Sequence, residues 1–417
     1  MSSPHQEQHL MAHTPAPTTD VVFVDGVRTP FGKARPDGLY AHTRADDLAV
    51  KLIRDLLRRH PTLDPALIED VAIAATTQQG DQGLTLGRTA ALLAGLPHTV
   101  PGYAIDRMCA GALTAVTTTA SAIKAGFIDL AIAGGVEHMG RHPMGFDADP
   151  NPRFLSEKIV SPQALNMGHT AENLHDRFPH LTKERSDAYA VNSQHKYHHA
   201  WQNNHIHPSL TPIATRDPDR GWALADRDEL PRPTTTMDAI ANLPTPFRPA
   251  GHVTAANASP LTDGATMALL AGANTAAALE LPATMRLVTY AFAGVEPDIM
   301  GYGPVPATHK ALTKAGLTID DIDVIEINEA FAVQVLAFLD HFHIEDNDTR
   351  VNPYGGAIAM GHPLAASGVR LMNQLSHYFT THPTARYGMT TMCIGLGMGA
   401  TVIWENLTTS TPQGAHA

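Results

Sequence analysis

Cysteine is nearly missing from this sequence: Cys109 and Cys393 are the two in 417 residues. Two thiols exclude a disulfide framework and a four-cysteine zinc site, and they suit a reducing compartment. Positive charge is also short. Lys and Arg number 29 against 41 Asp and Glu, a formal charge of −12, which argues against a nucleic-acid surface, because such binding neutralises phosphates with clustered Lys and Arg. No apolar run reaches the roughly 18 residues of a membrane span, so a cytoplasmic protein is expected. The nucleotide cradles are absent too: no GxGxxG follows the first strand, and neither GxxxxGK[ST] nor a GxSxG elbow occurs. The 24 histidines are dispersed. Their densest group, His195, His198 and His199, has no CxxC or HExxH around it and reads as a solvated helix face rather than a metal site.

What is present is a long chain with 43% apolar residues, enough for two or three packed domains. Val21-Val22-Phe23-Val24 reads as a buried strand, and Leu48, Leu52, Ile53, Leu56 and Leu57 recur at helical spacing after it. A helical turn then enters a strand at Val71, Ile73 and Ala75. Alternating strands and helices indicate a parallel α/β sheet covered on both faces. LDPALIEDVAIA, with Asp70-Val71, resembles LTIDDIDVIEIN, with Asp323-Val324, an offset of 253 residues that carries Cys109 onto His362. Two related halves are expected, their helix starts meeting about a pseudo-twofold axis. The expected boundaries are an extension at 1–19, a first half at 20–139 plus 258–281, an inserted loop domain at 140–257, a second half at 282–408 and a tail at 409–417. The insertion is rich in Pro, His, Asn and Asp, with its best helix from Lys183 to Trp201, and such insertions commonly serve as lids or binding surfaces.

Cys109 sits where an apolar strand gives way to a small-residue helix. Amides at a helix start stabilise an anion, which would lower the thiol pKa and raise the thiolate fraction; a small buried core residue is the alternative. His362 lies in PYGGAIAMGHPLAASGVRL, again before a small-residue helix. A neutral imidazole there suits a general base for a thiol, and a turn-capping histidine is the alternative. Cys393, in CIGLGMG, could shuttle a proton, with nearby glycine amides as donors to an oxyanion. Asn328, after the strand Val324-Ile325-Glu326-Ile327, could hold a water or cap a helix.

Taken together, NEAF, GGAIAMGHP, CIGLGMG and VTAANAS make the stretch from Val21 to Asn406 resemble the thiolase family. GGVEHMG, MGHTAEN and IMGYGPVPA are most similar to its bacterial degradative 3-ketoacyl-CoA branch, the β subunit of the fatty-acid oxidation complex. The resemblance implies five layers, α/β/α/β/α, made of two related halves with an inserted loop domain. It implies ping-pong cleavage of a 3-ketoacyl-CoA: Cys109 attacks, His362 takes its proton, and Cys393 protonates the departing enolate. His362 with a water on Asn328 would form one oxyanion hole, and the amides of Cys109 and Gly395 the other. Coenzyme A enters as co-substrate, with Arg232 at its adenine and phosphate end, Met167, Phe247, Met300, Ala330 and Phe331 along the pantetheine, and Ser259 at its amide. No metal or prosthetic group is implied; a homodimer or homotetramer is, and a hydratase/dehydrogenase α subunit is an expected partner.

The chain departs from the family pattern in places. Asp106 stands for the usual Asn three residues before the nucleophile, and Ala110 for the Ser that commonly follows it. The Asp106 charge would raise the Cys109 pKa, and its carboxylate could occupy the Cys109 amide. Ala256 and Ala365 replace customary glycines. A biosynthetic acetoacetyl-CoA thiolase uses the same residues in reverse, and a non-catalytic acyl-CoA binding protein would need none of the four reactive groups. Condensing enzymes of the ketosynthase kind pair two histidines with their cysteine, whereas here a second cysteine stands in CIG.

Overall fold

The computed structural model describes residues 19–408 except 146, 218 and 220. The extension and tail expected at the two ends therefore lie almost entirely outside the described residues. The elements that frame the site are nine strands and eight helices. The strands are β1 (Val21–Arg28), β2 (Asp70–Ala74), β3 (Tyr103–Ile105), β4 (Leu130–His138), β5 (Thr262–Gly272), β6 (Met285–Gly294), β7 (Val324–Ile327), β8 (Tyr387–Ile394) and β9 (Met398–Asn406). The helices are α1 (Ala45–Arg59), α2 (Leu86–Ala94), α3 (Gly111–Lys124), α4 (Met167–Arg177), α5 (Lys183–Gln202), α6 (Pro304–Ala315), α7 (Ala332–His341) and α8 (Ser367–Thr381).

All nine strands join one sheet in the order β7-β8-β9-β6-β1-β5-β4-β2-β3, and it is mixed rather than parallel as expected, since β5 runs antiparallel to β1 and β4, and β9 to β8 and β6. The duplication is visible in that order. Within the first half the spatial sequence β3-β2-β4-β5-β1 runs third, second, fourth, fifth, first. The second half repeats it, with a single bridge at Val351 beside β7 standing for the missing third strand. The two half-sheets meet only at Val22↔Arg286 and Phe23↔Met285, an antiparallel contact of β1 with β6. β4 and β5 are buried along their whole length, the polar Glu137, His138 and Asp263 included, as in a sheet covered on both faces.

Helices α1 and α2 pack on the outer face of the first half-sheet, α6 and α7 on that of the second, and α3 and α8 lie between. One buried cluster contains Leu113 and Val116 of α3, Val369 and Met372 of α8, Phe23 and Leu270 of the first half, and Met392 and Val402 of the second. This is the five-layer α/β/α/β/α arrangement. Each central helix follows a short 3-10 turn, Met108–Ala110 before α3 and Leu364–Ala366 before α8. The helix starts are in van der Waals contact: a Cβ on Gly111 would come within 2.9 Å of the Ala365 Cβ, and one on Gly368 within 2.6 Å of the Leu113 Cγ. Matching the turns and helices of the two halves places Cys109 opposite Ala365, not opposite His362, which comes three residues earlier. The offset read from the strands is thus a few residues too short for the central helices.

The insertion holds α4 and α5, a four-residue helix Met237–Ile240, and a hairpin of Ile213–Asp217 with Gly221–Ala225 that its irregular composition did not announce. It is tied down from below. The Glu329 carboxylate, 1% exposed, accepts from the Tyr189 and Ser193 hydroxyls of α5 at 3.0 and 2.7 Å and from Asn352 Nδ2 and the Ile358 amide at 2.8 and 3.1 Å. A buried carboxylate with four donors is satisfied rather than reactive.

Candidate active site

Cys109 follows β3 on the 3-10 turn that opens α3, and only 7% of it is exposed. Burial dominates its chemistry. It pushes the thiol up to about 11, the Glu137 and Asp106 carboxylates push the same way, and the amides of Gly395 and of Cys109 itself oppose them. This corrects the expectation of a depressed pKa: the helix-start amides are present, but desolvation outweighs them. Asp106 raises the thiol as expected, yet its Oδ1 accepts from the Met108 amide at 2.6 Å and not from that of Cys109. The Cys109 and Gly395 amides, expected to form the second oxyanion hole, follow and precede a non-glycine residue in the left-handed region, Met108 at φ 46° and Leu396 at φ 62°. Such residues cost on the order of 1–3 kcal/mol each and persist where packing over-determines them.

His362, 4% exposed, caps no helix. Its Nδ1 lies 2.5 Å from Ser367 Oγ, and its Nε2 3.3 Å from Asn328 Nδ2. Burial and the nearby Arg370 charge push the imidazole down to about 3, so it is neutral at physiological pH. Asn328 is fully buried, its amide bonded to the Thr391 carbonyl at 2.9 Å. It is not a helix cap either, since α7 starts four residues later behind Phe331. Its Oδ1 accepts from the Arg370 guanidinium at 2.8 Å. Cys393 is fully buried near the end of β8; burial and the neighbouring Cys109 hold its thiol well above the ordinary range. Gly395 follows in the β8–β9 turn, where a Cβ would come within 2.7 Å of the Met108 sulfur and 3.6 Å of the Met167 sulfur.

Most of the residues expected along coenzyme A share surroundings with Cys393. Met300, Ala330 and Phe331 belong to its buried cluster, and Met167 and Phe247 pack against that cluster. Phe247 lies over Gly168, where any side chain would clash with its ring at 2.2 Å. The Ser259 amide bonds to the Ala330 carbonyl at 2.9 Å, and Ala258 bridges Phe331. Arg232 is exposed on the insertion, tethered through its backbone amide to Gln194 at 2.8 Å. Its guanidinium has no hydrogen-bond or ion-pair partner among the described residues, as an anion-binding group requires. No group of three or more His, Cys, Asp or Glu that could hold a metal occurs among the described residues.

Sequence reasoning missed three groups. Ser367 and Arg370 lie five and eight residues after His362 on the helix it precedes, a spacing that places them under the imidazole once that helix is recognised. Glu137 of GGVEHMG is 1% exposed and accepts from the Thr76 and Ala365 amides at 3.1 and 3.2 Å, so it ties the start of the α8 turn to the first half.

Two family models cover the chain: the thiolase N-terminal domain at residues 21–274 and the thiolase C-terminal domain at residues 281–406. The chain belongs to the thiolase family. Among similar relatives, the 3-ketoacyl-CoA thiolase of Saccharophagus degradans is 43% identical over 390 residues, covering 93% of this chain and 98% of that protein. The 3-oxoadipyl-CoA/3-oxo-5,6-dehydrosuberyl-CoA thiolase of Escherichia coli is 41% identical over 398 residues, 92% of this thiolase and 98% of the relative. A solved acetyl-CoA acetyltransferase from Bacillus anthracis superposes with a TM-score of 0.83 at 32% identity, covering 94% of this chain and 99% of that one.

Proposed function

We infer that this thiolase is a 3-ketoacyl-CoA thiolase, an acetyl-CoA C-acyltransferase that cleaves 3-ketoacyl-CoA with CoA to acetyl-CoA and a shortened acyl-CoA in fatty-acid degradation. The observation that carries the reading is near full-length identity of about 40% to several proteins so named. The roles of individual residues are our proposal, and the hydrogen-bond directions around His362 support it. A neutral imidazole that accepts at Nε2 is a base; one that donates there is not.

Cys109 attacks the keto carbon while His362 Nε2 takes the thiol proton. With the thiol at about 11 and the imidazole at about 3, no resting ion pair forms, so the proton moves as the sulfur–carbon bond is made. The alkoxide is received by the amides of Cys109 and Gly395. Its collapse breaks the Cα–Cβ bond and sends the electron pair into the enolate of acetyl-CoA. His362, now protonated, and a water on Asn328 receive the enolate oxygen, and the Cys393 thiol gives its proton to the enolate carbon. A second CoA, deprotonated by Cys393 or His362, then takes the acyl group from Cys109. Coenzyme A is a substrate in this scheme; no cofactor or metal is needed. We place the binding of CoA on residues 140–257 with Arg232, Met167, Phe247, Ser259, Met300, Ala330 and Phe331.

The E. coli relative acts on dicarboxylic substrates by name and the B. anthracis structure is an acetyltransferase by name, so the acyl chain is the second question. Steady-state thiolysis with 3-ketoacyl-CoAs of four to sixteen carbons, and with an ω-carboxylated one, tests the reading. A kcat/KM that rises beyond the four-carbon substrate supports it, and activity confined to acetoacetyl-CoA contradicts it. We further propose a cytoplasmic homodimer or homotetramer, paired with a hydratase/dehydrogenase α subunit. No helix among the described residues is long and apolar enough to cross a membrane.

A further inference from the structure

Arg370 is fully buried on α8 and takes no part in the scheme above. Besides Asn328 it donates to Gln374 Oε1 at 2.7 Å, and it lies 3.7 Å from the Glu326 carboxylate, which is itself fully buried and has no hydrogen-bond partner. Burial pushes the Glu326 carboxyl up to about 8 and the Arg370 guanidinium down to about 10, so near pH 7 the guanidinium is a buried cation beside a largely protonated carboxyl, which is expensive and a weak device for stability. It is well suited to a directional task, because a guanidinium has donors and no acceptor.

The direction propagates. Facing Arg370, Asn328 must present Oδ1, so its Nδ2 faces His362. Facing Nδ2, the imidazole must accept at Nε2, so the proton sits on Nδ1 and is donated to Ser367 Oγ. A hydroxyl donates or accepts equally well, and the 3.4 Å contact of Ser367 Oγ with the Pro363 carbonyl favours this same order only weakly. The inverted chain, with Asn328 Oδ1 accepting from Nε2–H and the Ser367 hydroxyl donating to Nδ1, satisfies the same three side chains. It leaves His362 without a base at the position facing the site. The donor-only end of the chain, at 2.8 Å, breaks the tie.

We propose that Arg370 is a positioning residue that fixes the Asn328 amide and through it the Nδ1–H tautomer of His362. The inference rests on the base role given to His362 above. Its direct readout is the tautomer itself. In protein labelled with ¹⁵N-histidine, the ring nitrogens of His362, assigned by their loss in His362→Asn, report Nδ1–H in the wild type. In the paired variant Glu326→Gln/Arg370→Met, which removes the guanidinium without leaving an ionisable carboxyl buried beside the gap, the signal moves to Nε2–H. kcat for thiolysis then falls about tenfold or more while KM changes little, the mark of a lost reacting-state interaction. Arg370→Lys, still a donor without an acceptor, keeps the Nδ1–H signal and recovers most of kcat. In an Asn328→Ala background, replacing Arg370 causes no further loss.

Should the paired variant not fold, Asn328→Asp gives the same test with Arg370 in place: its two acceptor oxygens demand Nε2–H, and a retained neutral Nδ1–H tautomer overturns the proposal. Retention of that tautomer in the paired variant overturns it as well, as does an equal loss from Arg370 replacement with and without Asn328. A wild type with the Nδ1–H signal but no thiolysis, together with the switch to Nε2–H in the paired variant, would contradict the functional reading and leave the positioning intact.

Discussion

Ser367→Ala removes the partner of the His362 Nδ1–H at 2.5 Å in a place with no access to water. An unsatisfied buried donor costs about 1–3 kcal/mol. That cost has two places to appear. If the imidazole stays where Asn328 holds it, the folded state bears the whole penalty, and the urea midpoint falls while activity per folded molecule is kept. If the ring leaves its position to regain a partner, the penalty appears as a reduced population of the competent geometry, about 5–150-fold in kcat/KM at one factor of ten per 1.4 kcal/mol. The two effects together should come to about 1–3 kcal/mol. Urea unfolding and steady-state thiolysis on the same preparation measure both. A variant that matches the wild type in both would mean that Ser367 does not receive the Nδ1 proton, and the hydrogen-bond chain would have to be abandoned.

Three further outcomes follow from the geometry. With the Cys109 thiol pushed up to about 11, its alkylation by iodoacetamide should rise about tenfold per pH unit from pH 7 to 10, and Asp106→Asn should speed it; a plateau below pH 8 would indicate a resting thiolate. The folded-state pKa of His362 is depressed to about 3 from 6.5, so the unfolded chain binds the extra proton between those values and stability falls as pH drops from 6.5 to 3; His362→Asn should flatten that part of the stability profile, and an unchanged profile would mean the imidazole is not held neutral. Glu329→Ala strands the hydroxyls of Tyr189 and Ser193, the Asn352 amide and the Ile358 N–H, a loss of several kcal/mol; hydrogen exchange should accelerate in α5 before it does in β4, and uniform acceleration would place the anchor elsewhere.

Sequence legibility followed the range of the forces involved. β1 and α1 were readable because four consecutive apolar residues and a 3.6-residue apolar stripe are local signals. Cys109 and His362 were placed at helix starts from the small residues behind them, and both do precede helices in the central layer. The hairpin in the insertion was not readable, because Trp222 is 75% exposed and Leu224 62%, while Ile213 and Ala225 enter a core, so its apolar pattern marks no single buried face. The sign of the Cys109 shift was missed for a different reason. Helix-start amides can be read from sequence, whereas desolvation depends on five layers closing over the thiol, and it is the larger effect here. Arg370 and Ser367 stood in plain view in GHPLAASGVRL. Their task depends on which atoms of Asn328 and His362 face each other, and only the folded chain settles that.

The central claim is that acyl transfer passes through Cys109. The purified protein should be incubated with a medium-chain 3-ketoacyl-CoA in the absence of free CoA, and its intact mass recorded and the adduct mapped. The account predicts one shortened acyl group per chain, on Cys109, with release of one acetyl-CoA, and its disappearance as acyl-CoA when CoA is added. An adduct on Cys393, or an unmodified chain that still binds the substrate, would contradict it.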